Sequence, residues 1–255
     1  MKICIVISHA DYAGLTILEH LKKYDLEKFN AFIYETKEKS IYCEDLDKKV
    51  KADLFIFATT HRSEKGVNSL TTHFPGNFTT ADLGGKPKTL NVSASRFLRE
   101  FYLELKRLNN LDYEVALEAD HHGPYLEKPS IFIEIGSSEK QWKDSKAGGI
   151  IAQTIVNVLS QGTKKRETVL ILGGGHYNQV AMKVLEKTDY HIAHICAKHS
   201  LGGFNENTLH QALTKSMDPV SLVIVDEKGL GQYKSNVLQI LERSKVAWKK
   251  YKQLP

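Results

Sequence analysis

Residues 114–126 read EVALEADHHGPYL, two adjacent histidines preceded by Glu118 and Asp120 and closed by Gly-Pro. A turn has use for Gly123 or Pro124, but not for His121 and His122 as well. Imidazole and carboxylate are groups that zinc takes as ligands. A carboxylate behind an imidazole fixes its tautomer and strengthens it as a ligand or a base. Adjacent histidines on extended chain point to opposite faces. One can therefore ligate while the other supports the loop or the substrate. Taken alone, the segment fits a metal-binding wall and a metal-free histidine-rich loop equally well.

Three further segments carry groups of the same kind. In FIEIGSSEKQW, Glu134 stands inside an apolar strand, where a lone carboxylate is costly unless it is paired or ligating. Strand alternation puts Phe132, Glu134 and Gly136 on one face. Glu134 is therefore the preferred carboxylate for a metal or a general base, with a partly solvated sheet face as the alternative. HRSEKGVNSLTTHFPGN, residues 61–77, supplies His61, Ser63 and His73. Its spacing is neither HExxH nor that of a zinc finger, so only a folded loop brings these residues together. Ser63 lacks the GxSxG elbow of a nucleophilic serine. LILGGGHYN places three glycines and His176 after a strand. It is neither GxGxxG nor a GK[ST] loop, so no nucleotide cofactor is expected. Its backbone N–H groups suit either an anion or a plain turn.

The elements that position these residues alternate between strand and helix. KICIVIS, NAFIYE and ADLFIFAT read as strands, and LTILEHLKKY and SASRFLREFYLELKRL as amphipathic helices. SIFIEIGSS is a strand followed by a cap, Ser138 with Gln141. One helix is expected after it, with Ala147, Gly148 and Gly149 marking close packing or a break. Beyond the connector at 161–168, the pattern runs VLILGG, YNQVAMKVLEK, HIAHICA, NTLHQALTKS, VSLVIVD and NVLQILERS. The expected fold is α/β: a three-layer, mixed or mostly parallel sheet flanked by helices, with a second, smaller α/β unit. The expected division is 1–160 and 161–255, with the site at the junction. In such folds the working crevice lies beyond the carboxyl ends of the strands, and His9, His61 and His176 each follow an apolar strand. Residues 61–92 and 197–206 are expected to be irregular.

No run of 18 apolar residues occurs among the 255, so no membrane partner is expected. Three scattered cysteines form no framework and point to the reducing cytoplasm. The formal charge of +5 admits an anionic partner. KKR at 164–166 and the lysine-rich C-terminus, with Trp248 and Tyr251, read either as solvated surface or as an RNA footprint.

Together, HRSEKGVNSLTTHFPGN, EADHHGP, FIEIGSSEKQW, GGGHYN and VDEKGL resemble the archaeal and plant type of D-aminoacyl-tRNA deacylase. The resemblance implies a carboxylic-ester hydrolase that frees tRNA from a wrongly attached D-amino acid. It implies an α/β fold similar to phosphorylases and peptidyl-tRNA hydrolases, bound Zn²⁺ and charged tRNA as partner; a monomer is expected. His61, Ser63, Glu64, Thr71, His73, Gly76, Asn77, Glu118, His121, His122, Gly123, Glu134, Gly136, Gly174, Gly175, His176 and Tyr177 sit on the family's motifs. The roles expected on this reading put His121, His122 and Glu134 nearest the metal and water. His61, His73 and His176 complete the shell or exchange protons. Glu118 or Asp120 meets the substrate ammonium, and Ser63, Thr71, Asn77, Gly174, Gly175 and Tyr177 line its site. The chain departs from the family pattern at Asp120, at Glu227 and at Asn178–Gln179. On the residues alone, a zinc hydrolase of small esters, amides or peptides, a nucleoside phosphorylase and a non-catalytic RNA-binding module remain rivals.

Overall fold

The computed structural model describes residues 1–63 and 66–254. In chain order its elements are β1 (Ile3–Ser8), α1 (Tyr12–Leu21), β2 (Ala31–Thr36), α2 (Leu46–Lys49), β3 (Leu54–Thr60), β4 (Ser69–His73), β5 (Gly76–Asn77), β6 (Thr89–Leu90), α3 (Ser95–Leu108) and β7 (Glu114–Leu117). There follow β8 (Ser130–Gly136), α4 (Glu139–Trp142), α5 (Ser145–Gln161), β9 (Thr168–Leu172), α6 (Gln179–Lys187), β10 (His191–Cys196), α7 (Glu206–Thr214), β11 (Val220–Val225), α8 (Lys234–Arg243) and β12 (Trp248–Lys250).

Six strands form a large sheet in the order β2-β1-β3-β8-β4-β7. Its first four strands are parallel, and β4 runs antiparallel to β8. A smaller sheet, β10-β9-β11-β12, is parallel throughout. The mixed α/β expectation, with a mostly parallel main sheet and a smaller second one, therefore holds. Strands β1 and β3 are almost wholly buried, as their unbroken apolar runs require of strands covered on both faces. Helices α1, α3 and α5 cover one face of the large sheet over Ile5, Ile56 and Ile133. Helix α3 also packs on β10, so one apolar core runs from Ile133 through Phe101 to Ile195 and joins the two sheets. Burying Phe101 completely contributes roughly 2–3 kcal/mol.

Two expectations about elements need correction. Within the supposedly irregular 61–92 segment lies β4, an interior strand whose five residues are all buried. It escapes a hydrophobicity reading because four of the five are polar. The single helix expected after Ser138 is two. The Ser138–Gln141 capping box starts α4, and Asp144 then caps a fresh helix, its carboxylate accepting from Lys146 N at 2.9 Å. Within α5 the glycines do mark close packing, since a Cβ at Gly148 would meet Thr16 Cγ2 at 2.7 Å.

Candidate active site

Register places the first groups. Across β3, β8 and β4, Thr59, Glu134 and Thr71 form one row, and Phe57, Phe132 and His73 form the next. Phe57 stacks on Phe132 at 4.6 Å and His73 on Phe132 at 5.1 Å, which holds the buried imidazole face to face with the Phe132 ring. At the end of β3 the chain carries His61 across Gly136. A Cβ there would meet His61 Cδ2 at 2.5 Å, so this crossing requires glycine. The indole of Trp142 donates to His61 O at 2.9 Å and anchors the turn.

The segment after β7 closes over this face. Ala119 N donates to His176 O at 2.8 Å, which ties the HHGP loop to the glycine turn of the smaller sheet. His122 adopts φ 48°, a region that a non-glycine residue holds only when its surroundings fix it. The His121 ring then lies 4.3 Å from His73, 4.2 Å from His122 and 4.6 Å from His176, centre to centre.

Two carboxylates sit among these rings. Glu118, fully buried, meets His176 Nε2 at 2.8 Å and His61 Nδ1 at 3.2 Å. Glu134 lies 3.5 Å from His61 Nδ1 and 3.7 Å from His73 Nε2. Burial alone would raise both carboxyls. The histidines outweigh it and hold Glu134 below, and Glu118 well below, the ordinary carboxylate range. Burial likewise opposes protonation of His73, but Glu134 and Glu118 raise it to about 9. The same balance raises His61. Burial, then neighbouring imidazoles, push His121 well down and His122 to about 4, so those two are neutral. A cavity of about 560 Å³ opens beside the cluster, at the carboxyl ends of β1, β2 and β3. Three overlapping groups have the spacing of a metal site, with donor atoms within 4.8 Å of one another. They are His73–His121–His122, Glu118–His121–His176 and His61–Glu118–Glu134.

The D-aminoacyl-tRNA deacylase family profile matches residues 48–249. The chain belongs to that family. It is 40% identical over 210 residues to the D-aminoacyl-tRNA deacylase of Pyrococcus furiosus, covering 80% of this chain and 77% of the relative. Against the Methanococcus vannielii enzyme of the same name it is 33% identical, covering 98% and 100%. A crystal structure of a conserved protein of unknown function superposes with TM-score 0.90 at 29% identity, over 99% of this chain and 96% of that one. The deacylase is thus an ester hydrolase by family.

In this deacylase, His61, His73, Glu118, His121, His122, Glu134 and His176 converge. Tyr177 joins them through its hydroxyl, 2.6 Å from His61 Nε2, and the Ser63 side chain bonds to that hydroxyl in turn. Thr71, beside Glu134, is buried, and its hydroxyl has no hydrogen-bond partner among the described residues. Asn77, Gly174 and Gly175 serve the surrounding turns: Asn77 Nδ2 donates to Gly84 O at 3.0 Å, and Gly174 N to Gly229 O at 3.3 Å. Gly175 lines a second hollow with Lys198 and Lys228. Glu64 lies outside the described residues.

Asp120 stands apart. Its carboxylate accepts from Ile195 N at 2.8 Å and meets His194 Nδ1 at 2.5 Å in a fully buried contact, away from the cavity. His9, expected at the crevice, pairs instead with Glu35 at 2.6 Å on the surface. Of the other departures, Glu227 pairs with Lys234 and Lys250, and Asn178 caps α6 by accepting from Ala181 N at 2.9 Å. The cysteines take no part, since burial pushes Cys4 to about 12 and Cys43 to about 11. Sequence reasoning missed Asp11, Lys39, Ile41 and Tyr42, which also line the cavity. Their only signal was position: each follows an apolar strand.

Proposed function

We propose that the protein hydrolyses the ester of D-aminoacyl-tRNA, freeing the D-amino acid and a tRNA with an intact terminal ribose. The observation that carries this reading is the convergence of five histidines and two carboxylates, from distant segments, on one side of a cavity.

The donor set fits a zinc ion held by His73, His121 and His122. Each sends Nδ1–H to a backbone carbonyl: to Phe74 O at 3.1 Å, Ala119 O at 2.9 Å and Gly123 O at 2.6 Å respectively. That pattern leaves Nε2 as the free ligand atom on His121 and His122, and on His73 once a metal displaces the proton that Glu134 favours there. His73 Nε2 is buried without a hydrogen-bond partner among the described residues, and His121 and His122 are in the neutral form that binding needs. When bound, the metal would polarise the ester carbonyl and make water acidic.

The chain's own groups do the rest. Glu134 lines the cavity and accepts a proton from the attacking water. His61, against both carboxylates, keeps Glu134 ionised and oriented. His176 also lines the cavity and, backed by Glu118, supplies the proton to the departing ribose oxygen. The C–O bond to ribose breaks as the water oxygen bonds to the carbonyl carbon.

The test compares release of D-amino acid from D-aminoacyl-tRNA, L-aminoacyl-tRNA and a free D-amino-acid ester. The tRNA ester of the D-isomer is expected to react at least about 100-fold faster per kcat/KM than either comparator. Equal rates on the small ester would favour a small-ester hydrolase, and no release would sink the reading. The KM for tRNA should rise between roughly 50 and 200 mM salt if backbone charge drives binding. Metal analysis should find zinc in the wild type and little in His73→Ala.

A further inference from the structure

Aminoacyl esters differ from simple esters by a cationic α-amino group, and the cavity must hold that charge. Two carboxylates line it among the described residues, Glu134 and Asp11. Glu134 is engaged by His61 and His73. Glu118 is sealed behind the histidines and Asp120 is buried at His194. The ammonium partners expected from sequence are therefore both occupied elsewhere.

Asp11 is built differently. It caps α1, with Oδ1 accepting from Gly14 N at 2.6 Å and Thr60 Oγ1 at 3.1 Å, and Oδ2 from Thr59 Oγ1 at 2.7 Å. A carboxylate offers about four acceptor positions, so one on Oδ2 is left over. The three donors fix the group as rigidly as a designed subsite needs. None of the ion pairs among the described residues includes Asp11, although Lys39 and Arg62 line the same cavity. Thr59 is also the register partner of Glu134, which puts Asp11 beside the row that carries Glu134, one strand over from it.

We propose that Asp11 is the residue that binds the substrate's α-ammonium, and so fixes the acyl group relative to the histidine cluster. Its environment supports this. Burial leads the influences on Asp11 and lifts its carboxyl above the ordinary value despite three hydrogen bonds, a condition that an arriving cation relieves. The assignment rests on the function proposed above and adds the group that recognises an aminoacyl rather than a plain acyl ester. The residue also lies outside the part of the chain that matches the family profile.

The experiment uses Asp11→Asn, since asparagine caps a helix as well as aspartate does. Two non-hydrolysable probes are compared: 3′-amino-3′-deoxyadenosine carrying a D-aminoacyl amide, and the same molecule N-acetylated. The wild type is expected to bind the free amine about 10- to 100-fold more tightly than the acetylated probe. Asp11→Asn should bind both alike, at the level of the acetylated probe, and its KM for D-aminoacyl-tRNA should rise while kcat changes less than threefold. Equal weakening of both probes would show a structural role and overturn the assignment. Retention of the amine preference would overturn it too. The binding arm needs no turnover. Loss of the function reading, seen as no hydrolysis by the wild type, is therefore read separately from loss of this one.

Discussion

Glu118 and Asp120 are two residues apart, each is fully or nearly fully buried, and each meets a histidine from the smaller-sheet half of the molecule. What surrounds the pairs differs. The Glu118 pair faces more imidazoles, a second carboxylate and a cavity, and Glu118 Oε1, 3.2 Å from His61 Nδ1, completes no hydrogen bond among the described residues. The Asp120 pair is closed. His194 Nε2 donates to Lys215 O at 2.8 Å, and Asp120 holds the backbone of β10 through Ile195 N. A buried network with every member satisfied rigidifies a fold, while one with spare valences beside open space is poised for chemistry. The first pair lies in the candidate site, and the second ties the HHGP segment to β10.

The largest expected effect separates the two at once. His121→Ala should lower kcat by about 10³-fold or more, while its melting temperature stays within a few degrees, because the ring is partly exposed and its removal leaves little unsatisfied. Full turnover by that variant would break the comparison from the catalytic side. Asp120→Ala should do the reverse. Leaving Ile195 N and His194 without their acceptor costs about 3 kcal/mol, or roughly 6–12 °C of melting temperature, with kcat per folded molecule nearly unchanged. A large loss of kcat in a still-folded variant would place Asp120 in the working cluster after all.

A smaller effect concerns a second tie between α3 and the smaller sheet. Arg96 grips Asp218 with two hydrogen bonds of 2.7 Å, and this contact, against the opposing effect of burial, holds the Asp218 carboxyl below its ordinary 3.8. A depressed folded-state value means that the stabilisation is complete above the unfolded value and fades as pH falls through the folded one. Denaturant unfolding from pH 6 down to pH 2 should show wild type and Asp218→Asn converging below about pH 4. Parallel curves would remove Asp218 from the set of structural ties. The smallest effect is expected at Glu227, exposed between Lys234 and Lys250, where Glu227→Gln should leave both melting temperature and turnover unchanged.

The sequence foretold the strands whose burial on both faces demands unbroken apolar runs, such as β1 and β3. It also marked Glu134 in β8 as a carboxylate in need of partners, and His61 and His73 lie 3.5 and 3.7 Å from it. Strand β4 stayed hidden because Ser69, Thr71, Thr72 and His73 are polar yet buried, and only tertiary contacts account for the last two: Thr72 donates to Phe132 O at 2.7 Å, and His73 stacks on Phe132. Asp11 stayed hidden for a related reason, since helix caps abound and only a cavity beside one gives it another role.

Residue types and local periodicity, which act over a few residues, settled the α/β class, the helix caps and the supply of imidazoles and carboxylates. Which carboxylate each histidine meets was decided by the tertiary structure alone. Contacts such as His61 to Glu118 or His194 to Asp120 join positions more than fifty residues apart. Their geometry follows from register and packing, and no local pattern encodes it.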